Sequence, residues 1–279
     1  MSAVAKIVRM TPEVAGKLIE ARNGHNRNVT WGRVTQYAED IRRGEWLMNG
    51  EAIKIAKDGT VLDGQHRLMA ILEADRPIET LLVTGLDPTA QESMDQGKPR
   101  GFNDVLRLRG EKDYNVLAAA VKLIATYERD GVPFARGFAS AVSNQQASLT
   151  LARNPEIRDA CKLATRLRKP WMPVSNMGAL YFLMSAAEEG RAAAFFTQLG
   201  EGVELAGPVH TLRDRLICEH AISDGTRMHL KVRMVFVVIG WNAFVEGHSL
   251  PDLRWAMNDP FPGISGLSAP DDGLWERAA

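Results

Sequence analysis

Residues 58–70, DGTVLDGQHRLMA, restrict the possible folds of this chain more than any other stretch. Val61-Leu62 is a short apolar run closed by Asp63-Gly64, and Gln65-His66-Arg67 lead directly into Leu68, Met69, Ala70, Ile71 and Leu72. That order predicts a strand, a tight turn bending at Gly64, and a helix that opens on polar residues. A helix start leaves backbone N–H groups unpaired and carries the positive end of the helix dipole. With Gly64 letting an anion approach the backbone, and with His66 and Arg67 as further donors, the turn suits a phosphate. Taken alone, Gly-x-His-Arg is equally compatible with a plain surface turn.

The run DGQHRLMA resembles the phosphate-binding box of the ParB/sulfiredoxin-like superfamily, in the Asp-Gly-Gln-His-Arg form found in phage and bacterial proteins. Members bind nucleotides through this turn: sulfiredoxin binds ATP, ParB partition proteins bind CTP, and a free-serine kinase uses a similar Asp-Gly-His-His-Arg turn. The resemblance implies an α/β (α+β) ParB/sulfiredoxin-like N-terminal domain over 1–110, followed by an all-α C-terminal domain over 111–279. It also implies that Gly64, Gln65, His66 and Arg67 hold the phosphates of a nucleoside triphosphate, ATP or CTP, with magnesium shielding them. The Cys that sulfiredoxin carries in the turn is replaced by Gln65, which argues against sulfiredoxin chemistry.

At 279 residues the chain fits one large or two modest domains. Hydrophobic residues at 45% and charged ones at 24% are ordinary globular values. The net charge is zero, so a polyanionic partner such as DNA has to be met by local patches. Cys161 and Cys218 are too few and too far apart for a disulfide framework or a zinc site, and their apolar surroundings suggest two buried free thiols. The N-terminus has no signal-type region, and the most apolar run, 234–239, is too short to span a bilayer. A cytoplasmic protein with no membrane partner is expected.

Ahead of the turn, Ala5 to Met10 reads as a strand, and Thr11-Pro12-Glu13 opens a helix. The polar stretch 21–28 is a solvated loop, or else Asn26 and Arg27 face the nucleotide as in the first box of ParB-like domains. Thr30 is placed to cap a helix through Ile41 whose buried face carries Val34, Tyr37, Ala38 and Ile41. Ile53, Ile55 and Val61 belong to strands joined by a turn at Lys57-Asp58-Gly59. Glu51 lies about a dozen positions before the phosphate turn. It is either a solvated edge charge or, as the resemblance to the serine kinase implies, the catalytic base. Asp63 is the second candidate catalytic carboxylate.

Ile78 to Val83 predicts another strand, followed by a helix capped near Asp87. Residues 94–101 form a polar turn in which Lys98 and Arg100 either touch phosphates or are simply part of a structural turn. From Tyr114 onward the pattern is helical, with helices expected over 116–127, 146–152, 156–167, 176–188, 192–199 and 231–244. Arg166 to Lys169 complements a helix C-terminus, or else contacts nucleic acid. Pro208-x-x-x-Leu212-Arg213 and Trp241-Asn242-Ala243-Phe244 also resemble the phage proteins. His210, His220 and His229 show no metal-ligand spacing. P-loop, dinucleotide-fold and hydrolase-elbow motifs are absent from the sequence.

Two functions are compatible with these residues. One is a nucleotide-dependent phosphotransferase, a kinase-like enzyme acting on a hydroxyl of a small molecule or of modified DNA, in which Glu51 deprotonates the acceptor. The other is a DNA-associated, ParB-like regulatory protein switched by nucleotide. A nuclease has less support, because no cluster of carboxylates suits two metals.

Overall fold

The computed structural model describes residues 3–22, 29–94, 100–132, 142–167, 169, 171–221 and 229–267. Among these the protein is a mixed α/β fold, with one four-stranded sheet, ten α-helices and roughly 60% helix. The chain divides into two compact units, Met1–Arg100 with Ala135–Gln146, and Gly101–Phe134 with Ala147–Ala279. No helix among the described residues is long and apolar enough to cross a membrane.

The first unit holds the sheet. Its strands are β1 (Val4–Met10), β2 (Ala52–Ala56), β3 (Val61–Asp63) and β4 (Ile78–Leu86), in the spatial order β1-β4-β2-β3. β1 runs antiparallel to β4, β4 parallel to β2, and β2 antiparallel to β3. Helices α1 (Pro12–Arg22), α2 (Trp31–Arg42) and α3 (Gln65–Ala74) complete the unit. Val34, Ala38 and Ile41 recur at helical spacing on α2 and are buried, together with Ile53, Leu68 and Ile71, in one apolar core. Burying each of the Val, Leu and Ile side chains among them contributes about 1.5–3 kcal/mol. Both α1 and α2 pack against α3, so the turn after β3 sits at a junction of helices.

Three local expectations take a modified form. Thr30 does occupy the N-cap of α2, but its side chain makes no capping bond. Beyond Asp87, whose carboxylate accepts from the Thr89 N–H, the chain forms a 3-10 helix, Pro88–Ser93, and not a longer α-helix. Tyr37, expected on the buried face of α2, is only half buried.

The described residues of the second unit form helices and one isolated bridge between Lys169 and Met172. Helices α4 (Phe102–Leu108), α5 (Tyr114–Asp130) and α7 (Ile157–Arg166) belong to it, as does most of α6 (Asn144–Arg153). The long α8 (Val174–Glu201) is kinked at Glu188, where φ −150° and ψ 90° leave helical space. The kink separates the two helices that the periodicity predicts. Helices α9 (Gly207–Ala221) and α10 (Leu230–Glu246) follow.

The segments around Leu212-Arg213 and Trp241-Asn242 serve packing. Leu212 is fully buried, and Arg213 donates to the carbonyls of Leu199 and Gly200 at 2.5 and 3.1 Å, closing the end of α8. Trp241 is buried edge-on against Phe195 and donates to the Ser265 carbonyl, while Asn242 bonds the backbone of Gly263 and Ser265. These bonds pin the irregular tail to α10. Cys161 is buried, but Cys218 is exposed, which corrects the expectation of two buried thiols.

Candidate functional site

The strand–turn–helix expected of DGQHR is present: β3 ends at Asp63, Gly64 bends the chain, and α3 begins at Gln65. Gly64 has φ +98°, a region closed to most side chains. A Cβ on it would lie 2.9 Å from Ile53 Cγ1 and 3.1 Å from Ile53 Cα. This glycine therefore has two causes, its backbone angle and the close approach of β2 beneath the turn. As the N-cap of α3 it has no side chain to cover the first-turn N–H groups.

Asp63 stands opposite Lys54 in the β2–β3 register, and Lys54 Nζ lies 2.8 Å from Asp63 Oδ2. Its other oxygen, Oδ1, accepts the Gly64 N–H at 2.6 Å. Both carboxylate oxygens are thus engaged, and the first N–H of the turn is directed at Asp63.

His66 is 8% exposed, and its Nε2 accepts the Thr30 backbone N–H at 3.0 Å. That bond joins the start of α3 to the start of α2 and places the imidazole proton on Nδ1. Arg67 Nη1 donates to the Ala52 carbonyl at 2.8 Å, and its Nη2 lies 3.3 Å from Glu51 Oε2. Arg67 therefore fastens α3 to the start of β2. Glu51 is well exposed, at 61% of its side chain.

A pocket of about 260 Å³ opens at the N-terminus of α3. The turn contributes Leu62, Asp63, Gly64, Gln65, His66 and Arg67 to its wall. Arg33 and Tyr37, one helical turn apart on α2, form a second side, and Gln91 and Met94 a third. Gln91 is held there by a bond from its Nε2 to the Leu62 carbonyl. Arg33 is exposed, and its side chain has no hydrogen-bond or ion-pair partner among the described residues. Tyr37 is buttressed by Trp46, edge to face at 5.5 Å.

Of the residues expected at the site, Asp63, Gly64, Gln65, His66 and Arg67 line one pocket. Glu51 is not on its wall and reaches it only through Arg67. Arg100 is not on the wall either; it is exposed, and its carbonyl accepts from Asn144 Nδ2 at 2.9 Å. Asn26, Arg27 and Lys98 lie outside the described residues. Sequence reasoning missed Arg33, Tyr37, Gln91 and Met94. The available signal was Arg33 and Tyr37 at i, i+4 spacing on a helix close before the turn.

Electrostatically the pocket favours an anion. Lys54 offsets Asp63 and Glu51 offsets part of Arg67, whereas Arg33 adds to the positive end of α3 with no carboxylate paired to it among the described residues. Compared with protein-family models, curated proteins and solved structures, the chain gives no significant match.

Proposed function

We propose that the chain is a nucleotide-dependent phosphotransferase that holds its phosphates in the pocket at the N-terminus of α3. One observation carries this reading: the unpaired Arg33 guanidinium faces the same pocket as an uncapped helix N-terminus. Backbone N–H groups and a planar cation together bind phosphate oxygens with charge-assisted hydrogen bonds. The resemblance of DGQHR to a nucleotide-binding turn points the same way.

The pocket is somewhat smaller than the roughly 300–1,000 Å³ typical of sites that engulf a whole ligand. In this reading it takes the phosphates, and the base and ribose rest outside it. Arg33 and the first turn of α3 bind and orient the phosphate chain. Asp63, engaged at both oxygens by Lys54 and the Gly64 N–H, shapes the turn, and Glu51 keeps Arg67 in position. Magnesium usually needs one or two protein carboxylates besides the phosphates. With Asp63 so engaged, the described residues of the pocket offer such an ion no free carboxylate, and an ion present would be carried by the phosphates.

Calorimetry with ATP, ADP, CTP and GTP in magnesium, on wild type and Arg33→Ala, tests the reading. A nucleotide that binds wild type and loses roughly tenfold or more in the variant supports it. Failure of all four to bind refutes it. Transfer to a hydroxyl is then checked by following labelled γ-phosphate.

A further inference from the structure

Tyr37 stands in the middle of α2, where the backbone is wrapped inside the helix, so it meets the pocket through its side chain. Its ring packs against the apolar core and against Trp46. Its hydroxyl makes no hydrogen bond among the described residues and is open to solvent. The ring is thus held along its sides, and the end left for the pocket is the hydroxyl.

Arg33 and Tyr37 share one stripe of α2, about 6 Å apart along the helix axis. Arg33 is the nearer of the two to the Thr30–His66 bond that joins α2 to the start of α3. Polar groups therefore succeed one another along the pocket, from the α3 N-terminus through Arg33 to Tyr37. The cavity of about 260 Å³ is also larger than one phosphate needs. Even at the ~30 Å³ that a water molecule takes up in the liquid, the five heavy atoms of orthophosphate fill only a little over half of it, whereas the nine of pyrophosphate come close to filling it.

We infer that the pocket holds two linked phosphates: one at the start of α3 beside Arg33, and the next further along α2, where it accepts from the Tyr37 hydroxyl. This rests on the phosphate-site reading and narrows it, because the ligand then has to carry at least a diphosphate. A monophosphate ester leaves Tyr37 without a partner. A phenolic O–H that donates to an anionic oxygen makes a charge-assisted hydrogen bond, stronger than one to a neutral acceptor. Tyr37 is then a binding residue that measures the length of the phosphate chain.

Orthophosphate and pyrophosphate test this. Both are titrated without magnesium by calorimetry into wild type, Tyr37→Phe and Arg33→Ala, orthophosphate also by displacement of bound pyrophosphate. Tyr37→Phe removes only an unbonded hydroxyl and keeps the ring against Trp46, so its circular-dichroism melt should coincide with that of wild type. Wild type is expected to bind pyrophosphate the more tightly. Tyr37→Phe should lose roughly tenfold toward pyrophosphate and nothing toward orthophosphate. Arg33→Ala should weaken both. A Tyr37→Phe variant unchanged toward pyrophosphate overturns the role given to the hydroxyl and leaves the anion site standing. So does one that weakens both anions alike, since Tyr37 would then touch the first phosphate, and so does a wild type that binds orthophosphate at least as tightly. If wild type binds neither anion, the phosphate site itself falls.

Discussion

His66 Nε2 accepts the backbone N–H of Thr30 at 3.0 Å across 36 residues of sequence, and this bond sets α2 beside the N-terminus of α3. A histidine that the motif suggests as a phosphate donor thus has one ring nitrogen committed to structure. Its neighbourhood depends on that commitment, because Arg33 stands one turn into the helix that Thr30 begins.

Replacing His66 with Ala removes this acceptor and leaves the Thr30 N–H without it. The expected cost is about 1–3 kcal/mol of stability, measured by urea unfolding. Phosphate affinity should fall along with stability, because α2 loses the tie that holds Arg33 over the pocket. A variant with unchanged stability would show that the bond contributes nothing to the fold.

The two pocket arginines should separate by measurement. Arg33 is exposed and unpaired, so Arg33→Ala should change stability by no more than about 0.5 kcal/mol while weakening phosphate binding roughly tenfold or more. Arg67 holds the carbonyl of Ala52, a residue only 5% exposed. Arg67→Ala should therefore cost about 1–3 kcal/mol of stability by urea unfolding. The Glu51 end of this link adds little, since that carboxylate is mostly in solvent. Equal melting of the two variants would contradict this division.

Gly64→Ala is expected to destabilise by about 1–3 kcal/mol, through a positive φ and a Cβ forced against Ile53. A double variant with Ile53→Ala should regain part of that loss at the clash but none at the backbone angle. The cost of Gly64→Ala in wild type minus its cost in the Ile53→Ala background, both read from urea unfolding, measures the steric share.

The strand–turn–helix at 61–74 was legible because every signal in it is local: an apolar pair, a glycine bend and a polar helix start. The break in α8 was legible for the same reason, since two periodic runs flank Glu188. Arg33 was not legible as a site residue. Which stripe of α2 meets α3 is settled by tertiary packing, and the periodicity alone placed Tyr37 in the core instead of on the pocket wall. α9 was missed because Gly207-Pro208 reads as a breaker, although proline is well suited to a first helical turn. α4 is only two turns long, too short to establish a period.

The two thiols should differ in reactivity. Cys218 is exposed, whereas Cys161 is buried and its thiol is pushed up to about 12, mainly by burial and further by the charge of Asp113. Thiolate is the reactive form, so iodoacetamide at mildly alkaline pH should label Cys218 in the native protein and Cys161 only in denaturant. Peptide mapping reads the result, and native labelling of Cys161 would mean that α7 opens readily.

Asp40 makes stability depend on pH. It lies on α2, 7% exposed, where it accepts from the Ser143 hydroxyl at 3.2 Å. Ser143 and Gln146 form a reciprocal cap, Ser143 N to Gln146 Oε1 at 3.1 Å and Gln146 N to Ser143 Oγ at 3.0 Å. Burial pushes the Asp40 carboxyl from its ordinary 3.8 up to about 7; Glu45 and Glu39 add to the rise, and the Ser143 bond and Arg43 oppose it. Between about 4 and about 7 the folded protein keeps a proton that the unfolded chain has released. The folded state binds more protons in that window, so this group's contribution is complete below it, declines as pH rises through it, and is flat above. Asp40→Asn abolishes the titration but leaves the amide oxygen for Ser143. Urea unfolding of the two proteins across this range should show the variant gaining on wild type as pH rises. Parallel profiles would place the Asp40 proton equally on both states and remove the dependence.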